Sequence, residues 1–124
     1  NNALMVDLTG QINGETIGPR IYSGTGGALA FAIGALHAKN GRSVTVLPST
    51  SIVDGERRSR ILPMFPQGSA VTVPRGYADI IVTEYGVARL KHKTLRQRID
   101  ELIAIAHPDF RTGMRADARR LYGV

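Results

Sequence analysis

The sequence has 124 residues, no cysteine and a formal net charge of +6. That length supports one hydrophobic core and not two, so residues 1–124 are read as a single domain. The lack of cysteine excludes disulfides and thiolate metal sites. A composition of 43% apolar and 21% charged residues excludes a disordered chain, and no apolar run approaches the roughly 18–20 residues that span a bilayer. The chain opens on Asn1-Asn2-Ala3, with no initiator Met and no signal-peptide pattern. We read this as the start of a fragment from a longer protein, in a cytoplasmic setting that suits the cysteine usage. Nine of the sixteen Lys and Arg residues follow Gly86, against four Asp and Glu. This excess favours an anionic partner: nucleic acid, a phosphorylated cofactor or an acidic neighbouring domain. A solvated helical face is the plainer alternative.

In chain order, Met5-Val6-Asp7-Leu8-Thr9 alternates apolar and polar residues. Asn13-Gly14 is a turn signal, and Ile17 to Tyr22 returns as a short extended segment, so a hairpin or a pair of short strands is expected. Ser23-Gly24-Thr25-Gly26-Gly27 is the densest cluster of backbone freedom. Ala28 to Lys39 then reads as a helix that is apolar nearly all round and hence well buried, stopped by Asn40-Gly41. Ser43 to Pro48, Ser69 to Pro74 and Asp79 to Tyr85 read as strands. The Gly- and Pro-bearing basic stretch Ser51 to Gly68 reads mostly as loop. Thr94-Leu95-Arg96-Gln97 matches a capping box, followed by Leu95, Ile99, Leu102, Ile103 and Ala106 on one helical face. His107 is expected to close that helix by bonding its free carbonyls. Pro108 opens another short helix that Gly123 can close. Strands alternating with helices predict an α/β domain, a largely parallel sheet flanked by helices.

Four groups of residues have chemical potential. The glycine loop Ser23–Gly27, between a strand and a helix start, places backbone N–H groups at the positive end of a helix dipole. That suits a phosphate, a carboxylate or a developing oxyanion; a plain tight turn is the alternative. It fits neither the dinucleotide fingerprint, whose third glycine would fall at Leu29, nor a Walker loop. Glu84, expected at the end of a buried strand, is either a nucleophile or base, or an acid satisfied by nearby backbone. His37, His92 and His107 show no metal-ligand spacing, so no metal is expected. Arg57, Arg58 and Arg60 follow Asp54-Gly55-Glu56 and are suited to phosphate, or are simply solvated. None of the seven aromatic residues alternates with basic residues, so nucleic-acid binding is not expected.

Six phrases in order resemble one family over essentially the whole chain. They are Asn2 to Gln11, Ser23 to Gly27, Leu47-Pro48-Ser49-Thr50, Ser59 to Pro63, Val82-Thr83-Glu84-Tyr85-Gly86-Val87-Ala88 and Ala106 to Arg111. They look like the C-terminal domain of the acetyl-CoA hydrolase/transferase family, which includes 4-hydroxybutyrate, acetate and succinate CoA-transferases. The resemblance implies a CoA-transferase-like fold in a two-domain enzyme. It also implies ping-pong transfer from an acyl-CoA to a small carboxylate through a glutamyl-CoA thioester. The nucleophilic glutamate would lie upstream of Asn2, so Glu84 matches a family phrase but not the nucleophile. Gly26 and Gly27 match the loop bordering the CoA thioester, with Ser23, Gly24 and Thr25 as CoA-binding neighbours. Many members carry a polar residue and an Asp after the two glycines, where this chain has Ala28-Leu29-Ala30-Phe31. Many also carry a Lys after the Pro-Ser-Thr phrase. Here Arg57 and Arg58 are the candidates to replace its charge toward CoA. The implied partners are acyl-CoA, a small carboxylate and the protein's own N-terminal domain, and exposed sheet edges favour a homo-oligomer. Acetyl-CoA hydrolysis is the close alternative, and a non-catalytic CoA- or nucleotide-binding module is one of another class.

Overall fold

The computed structural model describes residues 1–124. Four short strands come first: β1 (Met5–Asp7), β2 (Ile12–Asn13), β3 (Thr16–Ile17) and β4 (Arg20–Ile21). The glycine loop leads into helix α1 (Ala28–His37) and strand β5 (Val44–Val46). Strands β6 (Thr50–Val53), β7 (Glu56–Ser59), β8 (Ile61–Leu62), β9 (Ile80–Thr83) and β10 (Gly86–Arg89) precede helices α2 (Leu95–Ala104) and α3 (Pro108–Tyr122).

The α/β class is as expected, but the pairing is mixed rather than largely parallel. Strand β1 runs antiparallel to β2 and parallel to β8, while β9 runs parallel to β5 and antiparallel to β10. Strands β3–β4 and β6–β7 form antiparallel hairpins. Tight turns close antiparallel neighbours locally, whereas each parallel pair needs a long crossover. The β6–β7 hairpin corrects the reading of Ser51 to Gly68 as mostly loop. Its turn is Asp54-Gly55, with φ of 52° and 78°, the two positive values that a tight type I′ hairpin turn requires. Residues Ser69 to Pro74 form no strand; Val73 makes only an isolated bridge to Ile12.

Side-chain alternation organises the β5–β9–β10 sheet. Thr45, Ile81 and Ala88 share one row by register. They are buried, and Ile81 and Ala88 join Ile99, Leu102 and Ile103 of α2 in the core cluster. Glu101 pins α2 to the sheet edge, accepting from Lys93 Nζ at 2.8 Å and from the Arg89 N–H at 2.9 Å. The Lys93 bond and then the Arg89 bond hold its carboxyl below the usual carboxylate range.

The predicted capping box is present: the Gln97 N–H donates to Thr94 Oγ1 at 3.3 Å, and the Thr94 N–H to Gln97 Oε1 at 2.9 Å. His107 corrects its expected role, for it caps the start of α3 instead of the end of α2. Its Nδ1 accepts from the Asp109 N–H at 3.1 Å, and Arg111 Nε takes the Ala106 carbonyl at 2.9 Å. Gly123 ends α3 in the left-handed region, as expected.

Helix α1 departs most from expectation. Only Ala32 is buried, while Leu29, Phe31, Ile33 and Leu36 are exposed. A helix without Asp, Glu, Lys or Arg thus meets the core only through Ala32 and Ala28. The core itself lies under α2 and α3, where Leu102 is fully buried. Leu102→Ala should destabilise the protein by about 2–5 kcal/mol, and Thr94→Ala by about 1 kcal/mol through loss of the cap. Urea unfolding would check both; equal effects would contradict the assigned packing.

Candidate functional site

The loop Ser23–Gly27 joins β4 to α1, and all five residues are exposed. The backbone amides of Gly24, Thr25, Gly26 and Gly27 donate no hydrogen bond within the protein. The helix that follows begins at Gly27 with no side-chain cap and no acidic residue in its first turn. The first turn of any helix leaves its own amides without intrahelical partners. The segment therefore presents consecutive free donors at a positive helix end, the chemistry that attracts a negative oxygen. Gly26 has φ of +59° with open space where a Cβ would stand, so its constraint is backbone strain rather than crowding.

A buried polar network fixes where the loop begins. Asn13 is fully buried. Its Oδ1 accepts from the Glu15 and Thr16 N–H groups at 2.9 Å each, and its Nδ2 donates to the Thr16 carbonyl at 3.0 Å. The Glu15 carbonyl, so placed, accepts from Tyr22 at 2.8 Å and Ser23 at 3.0 Å. Thr72 Oγ1 accepts from the Gly14 N–H at 2.9 Å and donates to Glu15 Oε2 at 2.7 Å. At the far end, the Phe31 N–H bonds the Gly27 carbonyl at 2.9 Å. The loop is thus held at both ends and left free between them. From sequence, Asn13-Gly14 reads only as a turn. An Asn bonding to its own nearby backbone is the signal that extends it. The Thr72 contact joins residues 58 apart and leaves no local signal.

Glu84 lies in the two-residue turn between β9 and β10, beyond the end of the strand. Its Oε1 accepts from the Ser49 N–H at 2.7 Å. Desolvation pushes the carboxyl up, but hydrogen bonds from the Ser49 and Glu84 backbone outweigh it and hold it below the usual carboxylate range. The carboxylate thus ties the end of the β5 segment to the β9–β10 turn.

Arg57 and Arg58 lie on β7, away from the glycine loop in sequence and along a different groove. Arg57 NH1 is 3.0 Å from His107 Nε2 and 3.4 Å from Asp109 Oδ2. Arg58 approaches Glu56 at 3.8 Å. Both arginines line a groove of about 600 Å³ between the β6–β7 hairpin and α3, walled by Met5, Ile17, Phe110 and Met114; none of Ser23–Gly27 lines it. The structure therefore keeps the five loop residues together and the two arginines together, but gives the two sets no shared cavity. No three His, Cys, Asp or Glu side chains converge as a metal site would require.

Two outcomes are expected. Asn13→Ala should destabilise the protein by about 1–3 kcal/mol by orphaning buried backbone donors, and should speed hydrogen exchange at the Tyr22 and Ser23 amides. Unchanged exchange there would contradict the anchoring. Glu84 has a folded-state pKa below its unfolded value, so its ionised form stabilises the fold fully above the unfolded pKa of about 4.3. That contribution is lost as pH falls through the lowered folded value. The stability gap between wild type and Glu84→Gln should narrow on acidification from pH 7 toward pH 3; a constant gap would contradict it.

Comparison with known proteins agrees with this architecture. Residues 1–118 match the family described as the acetyl-CoA hydrolase/transferase C-terminal domain. The chain is 46% identical over 121 residues to a "Probable butyrate:acetyl-CoA coenzyme A-transferase" of Syntrophomonas wolfei, covering 98% of this chain and 27% of that protein. It is 47% identical over 121 residues to a butyryl-CoA:acetate CoA-transferase of Anaerostipes caccae, covering 97% of this chain and 27% of that protein. Its fold superposes on RipA from Yersinia pestis with a TM-score of 0.88 at 39% identity, covering all of this chain and 27% of that one. The chain thus spans about 27% of the length of the curated relatives it matches. With a match from residue 1 to residue 118, the chain belongs to the acetyl-CoA hydrolase/transferase family, as its C-terminal domain.

Proposed function

We propose that the chain is the C-terminal domain of a two-domain acyl-CoA:carboxylate CoA-transferase of the 4-hydroxybutyrate or acetate type, working as a cytoplasmic homo-oligomer. The observation that carries this reading is the run of unbonded amides from Gly24 to Gly27 at the uncapped start of α1, in a chain whose family acts on CoA thioesters.

The chemistry is acyl transfer in two half-reactions. A glutamate upstream of Asn1 attacks the thioester carbonyl, and the electron pair moves onto the carbonyl oxygen. Collapse expels CoA thiolate and leaves an acyl-glutamyl anhydride. The thiolate then attacks the glutamyl carbonyl, releasing the acyl carboxylate and forming glutamyl-CoA. An acceptor carboxylate runs the sequence backwards, and water in its place gives hydrolysis. The Gly26 and Gly27 amides stabilise the oxyanion, a role in which fixed backbone donors need no reorganisation as charge develops. Ser23, Gly24 and Thr25 border the CoA chain, while Arg57 and Arg58 supply charge for its phosphates. No helix is long and apolar enough to cross a membrane.

Incubating the full-length protein with acyl-CoA and then a hydride donor should inactivate it and leave a reduced glutamyl residue upstream of Asn1, located by peptide mapping. Absence of CoA-dependent inactivation would overturn the covalent route. Gly26→Ala forces a Cβ onto a backbone of φ +59°. It should lower kcat by about 10- to 100-fold with little change in KM; an unchanged kcat would remove the loop from the reaction.

A further inference from the structure

The β5–β9–β10 sheet has a second face. By register, Val46, Val82 and Val87 form one row on the side opposite Thr45, Ile81 and Ala88, and Val44, Ile80 and Arg89 form the next. That face is open along its two edge strands, where Val46 is 44% exposed and Val87 50%, while Ile80 on the central strand is buried. Helix α1 extends the same surface. Phe31, 67% exposed, lines one small cleft together with Val44. The helix carries no Asp, Glu, Lys or Arg among its ten residues.

Such a surface is not a solvent face. An apolar run such as Ile80-Ile81-Val82 is the pattern of a strand covered on both sides, and α1 is apolar on every side, as a helix inside a larger core would be. Contiguous exposed apolar area of this kind marks an interface. We infer that the valine face of the sheet and the outer side of α1 are buried in the whole protein against the polypeptide upstream of Asn1.

Two observations select that occupant. The chain matches a C-terminal domain and spans about 27% of its curated relatives, so a partner of ample size belongs to the same polypeptide. The apolar surface also adjoins the glycine loop, since α1 starts directly after Gly27. A segment that delivers a glutamate to Gly26 and Gly27 has to pass this surface. The choice of occupant rests in this second respect on the proposed function, whereas the burial itself does not.

The test uses the full-length protein with single substitutions Phe31→Cys, Val46→Cys and, as an exposed control, Lys91→Cys. Maleimide labelling is followed by peptide mapping, natively and after unfolding. Positions 31 and 46 should label at least about tenfold more slowly than position 91 in the native protein, and equally fast once unfolded. They should stay protected on dilution to monomer. Native labelling as fast as at position 91 would overturn the proposal. So would protection lost on dilution, which would make a second copy the occupant. Because labelling does not depend on turnover, protected positions in a protein without transferase activity would sink the enzymatic reading and leave the interface standing.

Discussion

The alternation of side chains across β5, β9 and β10 is the constraint on which the rest depends. One row, Thr45–Ile81–Ala88, turns inward, and the α2 residues Ile99, Leu102 and Ile103 close over it to make the core. The parallel register of β5 with β9 brings the segment after Val46 beside the β9–β10 turn, where Glu84 takes the Ser49 amide. The opposite row is forced outward by the same geometry. A one-residue slip would exchange the two faces, removing the core and the open valine surface together.

The glycine loop depends on a different kind of order. Nothing in the chain consumes its amides, and a loop free along its whole length would lose a large entropy on meeting any ligand. The Asn13–Glu15–Thr72 network resolves this by holding Ser23 through one backbone carbonyl, while α1 holds Gly27. Buried, fully bonded polar groups rigidify without adding bulk near the ligand. Asp7 does similar work in the first turn, accepting from Thr9 and Gln11 through both carboxylate oxygens. The glycine loop is thereby framed by polar turns rather than by the hydrophobic core.

What was legible in the sequence followed the range of the interactions. The capping box at Thr94, the helix from Pro108 to a glycine stop, and the strands around Val44 and Ile81 each rest on local signals and are present. The Asp54-Gly55 hairpin was also a local signal, but the arginines after it obscured the β6–β7 strands. The sequence does not tell which helix His107 serves, because an imidazole can serve a carbonyl or an amide, and only the Pro108-Asp109 backbone decides which. Helix α1 reads correctly as a helix, but within residues 1–124 only Ala32 of it is buried. Its apolar pattern suits a covered helix, and a sequence pattern does not state which polypeptide supplies the cover. The loop was found from its glycines, but its anchor through Thr72 is a contact between distant segments. The family resemblance read from six phrases agrees with the match over residues 1–118.

The proposed role of this domain is to offer its Gly26 and Gly27 amides to the thioester oxygen. The most direct measurement is a crystal structure of the full-length protein with a non-hydrolysable acyl-CoA analogue. The carbonyl oxygen is expected within hydrogen-bonding reach, about 2.7–3.2 Å, of a Gly26 or Gly27 nitrogen. An analogue bound with that oxygen remote from the loop, for instance in the groove beside Arg57 and Phe110, would contradict it.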